Sequence, residues 1–248
     1  MSTIYILWLR QVTRYLRSRS RIVGSLAQPL LFLVALGFGF GPIFQKAGEG
    51  NYIDFLVPGV IAMSILFTSM FTGIEIIWDR QFGFLKETLV APVSRLHIMI
   101  GRTLGGATVA MIQGIIIFLL SFIVGFYPHS LPLLPLAFIF MFLISIIFTA
   151  LGTAIASKLE DMQGFQLIMN FLIMPTFFLS GALFPLKEVP RVLGIIVKLN
   201  PLAYGVDSIR GTLVMSSYFG LQTDLIVLII LAGILLSIGS YLFSKIQI

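Results

Sequence analysis

The chain has 248 residues, of which 58% are hydrophobic and only 10% charged, against about 25% charged in an ordinary soluble domain. Its main solvent is therefore lipid. With no cysteine and only His97 and His129, disulfides and cysteine-type zinc sites are excluded and histidine-built metal sites disfavoured. The net charge of +6 does not call for nucleic acid, because Lys and Arg of membrane proteins collect on the cytoplasmic side and fix orientation.

Residues 3–21 predict an amphipathic helix. Ile4, Leu7, Trp8, Val12, Tyr15 and Leu16 share one face, while Arg10, Arg14, Arg17 and Arg21 share the other. Such a helix lies in the interface with its arginines on lipid phosphates. The arginines come late and the next apolar run is long, unlike a secretory signal, so no cleavage is expected. The first span is placed at 22–43, with Gln28 and Pro29 inside it. At about 1.5 Å per residue it just covers a hydrocarbon core of about 30 Å. Gly37, Gly39 and Gly41 permit close approach of another backbone or loosen the helix. In the second span, 55–77, Ser64, Thr68, Thr72 and Glu75 share one face.

Residues 78–102 mix charges of both signs with large apolar side chains. Phe82, Leu85 and Leu89 recur at helical spacing and Pro92 stops any helix before it. The stretch reads either as a short helix on the membrane surface, with Lys86 and Glu87 toward water, or as an ordinary loop.

From 103 to 157 there is no Asp, Glu, Lys or Arg. Tyr127, Pro128, His129, Ser130 and Pro132 divide this run into spans 103–126 and 133–156. Gly101 and Gly105 form a small-xxx-small pair, and Ser145, Thr149 and Thr153 share a face. Lys158, Glu160 and Asp161 mark a polar return. A fifth span is set at 163–184, with Gln163, Gln166 and Asn170 on one face, Pro175 kinking it and Gly181 and Pro185 ending it. Residues 186–222 predict a short interfacial helix that does not cross, on the stripe Val189, Val192, Leu193, Ile196 and Leu199. A sixth span follows at 225–244. The fold class is an all-α polytopic membrane protein, with one transmembrane domain over 1–248.

Six spans leave both termini on one side. That side holds Arg10, Arg14, Arg17, Arg19, Arg21, Arg80, Lys86, Arg95, Arg102, Lys158 and Lys245; the other holds Lys46, Lys187, Arg191, Lys198 and Arg210. The richer side is expected to be cytoplasmic. The sequence holds no P-loop, His-Glu-x-x-His or Gly-x-Ser-x-Gly. Work across the membrane then draws on a partner or on a gradient. Glu75 is the only acid inside a predicted span, and the expectation is an ion pair with Arg102, hinging the central stretch to the spans, or else contact with head groups.

Two runs carry a resemblance, DRQFGFLKETLVAPVSR at 79–95 and SGALFPLKEVPRVLGIIVKLNPLAYGVDSIRG at 180–211. With the six-span layout and the basic N-terminal helix, they resemble type-2 ABC exporter permeases, a family including antibiotic-resistance and polysaccharide-export permeases. Gln81 departs from the Glu common in relatives. The resemblance implies a cytoplasmic coupling helix over Phe82, Gly83, Phe84, Leu85, Lys86, Glu87, Thr88 and Leu89, ended by Pro92, seated in a separate ATPase subunit. It implies two ATPase copies that bind the ATP and Mg, no cofactor on this chain, and pairing with a second permease chain, as a homodimer or as a heterodimer with a similar permease. Residues 186–222 would supply outer re-entrant helices, in a cell membrane with both termini cytoplasmic. The cargo would be a drug, lipid-like or glycan molecule. Ser64, Thr68, Thr72, Ser145, Thr149, Gln166 and Asn170 either line a pathway or pack helices. The rival readings are a gradient-driven transporter or channel, and a membrane-embedded lipid-modifying enzyme, whose acid cluster only Glu75, Asp79 and Glu87 approach.

Overall fold

The protein is described by a computed structural model over residues 3–46, 50–90, 93–186 and 189–245. Among the described residues every regular element is a helix: α1 (Thr3–Arg17), α2 (Arg19–Lys46), α3 (Tyr52–Phe71), α4 (Ile74–Gln81), α5 (Phe84–Val90), α6 (Arg95–Ser121), α7 (Leu134–Ala156), α8 (Met162–Phe178), α9 (Arg191–Leu199), α10 (Pro201–Leu213) and α11 (Leu221–Ser244), with a 3-10 turn at Phe122–Val124 after α6.

Helix α3 is the axis of the bundle. It is apolar on nearly every side, so it takes the position surrounded by others, packing against α2, α6, α7, α8 and α10. Fourteen of its residues are buried, and in the apolar 18-residue stretch of the segment it forms with α4 78% of the residues are buried, against 17% in the corresponding stretches of α2 and α11. The outer two helices leave their apolar side chains for lipid or another chain.

Among the described residues, five segments are long and apolar enough to cross a membrane: Arg19–Phe44, Tyr52–Gln81, Arg95–Val124, Leu134–Ala156 and Leu221–Ser244. Two boundaries differ from the sequence reading. Helix α6 begins at Arg95 rather than 103, because Ser94 caps it by accepting from the His97 N–H and nothing in the charged turn that follows breaks a helix. Helix α8, where the sequence predicts a fifth span, is not one of these five; it has 17 residues and spans about 25 Å. It stops at Phe178 instead of running to 184, where Pro175 has removed a donor from its last turn and Gly181, at φ +74°, turns the chain. Helices α9 and α10 meet at 87°. Asn200 makes this corner, capping α10 through the Leu202 N–H and tying it to α8 through the Thr176 carbonyl. The predicted apolar stripe of α9 stays outside the core, with Val192 and Leu199 both exposed.

The break between α3 and α4 falls at Thr72 and Gly73, against α7. A Cβ on Gly73 would lie 2.5 Å from the Gly152 carbonyl oxygen, and one on Gly152 would lie 2.5 Å from that of Met70. Only glycine at both positions lets these backbones touch.

Candidate functional site

At the end of the bundle that carries α1, five elements converge on α4. Asp79 is buried between two arginines: Arg102 of α6 donates through Nη2 at 2.5 Å, and Arg10 of α1 through its own Nη2 at 3.0 Å. One helical turn back, Glu75 accepts from Arg21 of α2 at 2.7 Å, with Arg14 at 4.0 Å. The next residue, Arg80, reaches the opposite way and donates to the Ser157 and Leu159 carbonyls at the end of α7, where the helix dipole favours a cation. Trp78 donates its indole N–H to the Met162 sulfur of α8. Residues 75–80 are thus held by α1, α2, α6, α7 and α8 at once.

The sequence reading paired Glu75 with Arg102, and the structure corrects this. Arg102 is in direct contact with Asp79, and Glu75 is taken by Arg21. Four residues separate Glu75 from Asp79, so they lie on one face of the helix a turn apart. Arg102 and Arg10 meet the turn of Asp79, and Arg21 and Arg14 the turn of Glu75. That spacing was the available signal for Asp79. Nothing local marked Arg10 as the counterpart of Asp79 or Arg21 as that of Glu75, since both belong to an arm that amphipathicity assigns to lipid.

Helix α1 departs from the interfacial expectation as well. Its apolar face is docked along α6, where Gly101 and Gly105 provide the seat. A Cβ on Gly101 would come within 3.0 Å of the Leu7 side chain, and one on Gly105 within 2.8 Å of Gln11. Trp8 donates to the Thr108 hydroxyl and the buried Tyr15 hydroxyl to the Gln113 side-chain oxygen.

Beyond the clamp, α5 stands clear of the bundle. Phe82 is 82% exposed and Val90 84%. Glu87 is exposed and Thr88 half-buried, its hydroxyl on the Phe84 carbonyl. The Phe84 ring lies beneath the Arg10 guanidinium, 3.8 Å from its centroid. Pro92, which the sequence makes the end of this helix, lies outside the described residues, as do the side chains of Leu85, Lys86 and Leu89.

The predicted polar stripes separate into three environments. Thr72 and Thr149 meet at the α3–α6–α7 junction, where both crowd the space over Gly106, and Ser145 turns its hydroxyl to the Met141 carbonyl of its own helix. Ser64 and Thr68 line a chamber of about 300 Å³ with Tyr15, Ser25 and Gln28. Gln166 and Asn170 are exposed on α8, next to the exposed Leu167 and Phe171.

The opposite end has its own buried charges, which the sequence reading passed over. Asp207 of α10 accepts from the Ser217 hydroxyl at 2.9 Å and from the Tyr218 and Phe219 backbone N–H groups at 2.7 Å each. Arg210 donates to the Phe55 and Gly181 carbonyls and lies 4.0 Å from the Phe55 ring centroid.

Residues 2–214 match the family model described as ABC-2 type transporter. A putative transport permease ycf38 of Cyanophora paradoxa is 32% identical over 214 residues, covering 84% of this chain and 72% of its own length. Nodulation protein J of Rhizobium leguminosarum bv. viciae is 30% identical, covering 77% of this chain and 74% of its own. A putative transport permease ycf38 of Pyropia yezoensis is also 30% identical, over 81% of this chain and 70% of its own.

Proposed function

Since the chain belongs to the ABC-2 type transporter family, and is a transport permease subunit of an ABC transporter rather than an enzyme, we propose that α5 is the element through which a separate ATPase subunit drives it. The observation that carries this reading is the contrast between the clamped 75–80 segment and the exposed α5 that follows it. A short helix offering Val90 to solvent, with the exposed Phe82 just before it, is suited to a partner's cleft. Motion imposed on it passes into α4, and from α4 into five helices, because buried ion pairs and helix ends resist small displacements individually and move as a unit.

On this reading the assembly holds two permease chains and two ATPase copies, which bind the ATP and Mg. The α1–α5 end faces the cytoplasm of a cell whose plasma or inner membrane the chain spans, and transport is outward. The exposed faces of α2 and α8 meet the second chain, leaving Gln166 and Asn170 free to line a pathway. The cargo is an amphipathic drug, lipid-like or glycan molecule. Support for the orientation comes from the Lys and Arg asymmetry, and for the assembly from the family.

The test is co-purification of the ATPase subunit together with a transport assay. Phe82→Ala with Val90→Ala removes the two most exposed apolar side chains described at the ends of the 82–90 stretch, while the clamp keeps its partners. Release of the ATPase, or hydrolysis without transport, is the expected result. Retained binding and transport would refute the role of α5. Cysteine is absent from this chain, so Glu87→Cys and Ser216→Cys report sidedness. An impermeant thiol reagent applied to intact cells should label position 216 and spare 87.

A further inference from the structure

Docking of α1 onto α6 uses only one of its faces. The other, with Tyr5, Ile6 and Leu9, is exposed and forms one wall of an open groove of about 1150 Å³ whose far wall is Phe82 and Phe84. Arg10, Arg14, Arg17 and Arg19 all line this groove, against one acid, Asp79. Arg10 is committed to Asp79, and Arg14 has Glu75 at 4.0 Å. Arg17 and Arg19 are exposed and make no salt bridge among the described residues. The groove therefore combines uncompensated positive charge at one end with apolar side chains along its wall, at the level where α2 enters the bundle.

We propose that this groove is a binding site for an anionic phospholipid, with its phosphate at Arg17 and Arg19 and its acyl region along Tyr5, Ile6 and Leu9. Charge complementarity selects the occupant. A zwitterionic lipid brings its own cation to the arginines and gains little, whereas a net anionic head group neutralises charge that the protein leaves unpaired. The apolar wall selects an amphiphile over a free anion. The groove shares Phe82 with the proposed ATPase contact but not Val90, and its charged end at Arg17 and Arg19 lies outside that contact, so the arginines test it separately.

The chain carries two tryptophans. Trp78 lines the groove, while Trp8 is turned to α6 through Thr108. A Trp8→Phe variant makes Trp78 the sole reporter. In nanodiscs of phosphatidylcholine doped with brominated lipid, brominated phosphatidylglycerol should quench Trp78 with roughly ten-fold or greater apparent preference over brominated phosphatidylcholine. The preference should shrink as salt is raised, and Arg17→Gln with Arg19→Gln should bring it toward one. Both arginines are exposed, so this pair of changes leaves the packed bundle intact, which an unchanged melting temperature verifies. Equal quenching by the two lipids, or a preference that survives in the double variant, would overturn the proposal. So would loss of ATPase co-purification in the double variant together with indifference to lipid charge, since the groove would then be a protein contact. Retained co-purification with loss of the lipid preference supports it, and distinguishes this site from the α5 contact.

Discussion

Both ends of the bundle bury charges, and they satisfy them differently. At the α1 end, Asp79 and Glu75 are met by arginines from three other helices. At the α9–α10 end, Asp207 is met by two backbone N–H groups and a hydroxyl within the turn that follows its own helix, and Arg210 by two backbone carbonyls. An ion pair between side chains on separate helices can be re-formed after the helices shift, since flexible arginines reach several positions. A charge held by backbone groups fixes the path of the chain itself. The first arrangement suits a joint that transmits movement, and the second a rigid hairpin.

The comparison is broken most severely by removing Asp79. Arg102, whose side chain is 3% exposed, would be left buried beside a second arginine, and a buried charge without its partner costs about 3–5 kcal/mol. Asp79→Ala should therefore lower the unfolding midpoint in detergent more than any other change discussed here. Adding Arg102→Leu should restore much of the loss, and strictly additive losses would mean that the two residues do not act as a pair.

Next in size is Gly152→Ala. Its new methyl meets the Met70 carbonyl at the α3–α4 break, and overpacking of this kind costs about 1–3 kcal/mol. Because the break lies between the clamp and the main bundle, transport should fall further than the unfolding midpoint implies. Equal loss in both would make the glycine contact merely structural.

At the other end, Asp207→Asn keeps an acceptor for the backbone N–H groups while giving up the charge, a loss of about 1 kcal/mol. Hydrogen exchange at Tyr218 and Phe219 should rise while that at α4 stays unchanged, if the two ends are independent. The smallest stability effect is expected for Glu75→Gln. Its partner Arg21 is one-third exposed, so the pair contributes below about 1 kcal/mol. Transport should nevertheless drop, since this residue ties α2 to the joint. Unimpaired transport in Glu75→Gln would remove the acid from any coupling role.

Amphipathic period, apolar run length and the Pro and Gly positions placed α1, α9 and the long apolar helices, although α6 begins eight residues before the greasy run does, α8 ends short, and periodicity alone leaves the stretch of α5 open between a helix and a loop. The reason is that lipid offers the backbone no hydrogen bonds, so each crossing must satisfy itself within one continuous apolar segment, and such segments are visible in one dimension. The clamp was not visible in that way. Glu75 and Asp79 are adjacent turns of one helix, but Arg10 lies 69 residues from Asp79 and Arg21 54 from Glu75. Which arginine reaches which acid depends on how α1 seats in the groove of Gly101 and Gly105. Composition determined that this chain would cross a membrane repeatedly with its basic end on one side. Only the packing of α1, α2 and α6 around α4 decided which charges meet, because helices distant in sequence choose their neighbours by shape, and their charges pair with whatever that choice brings within reach.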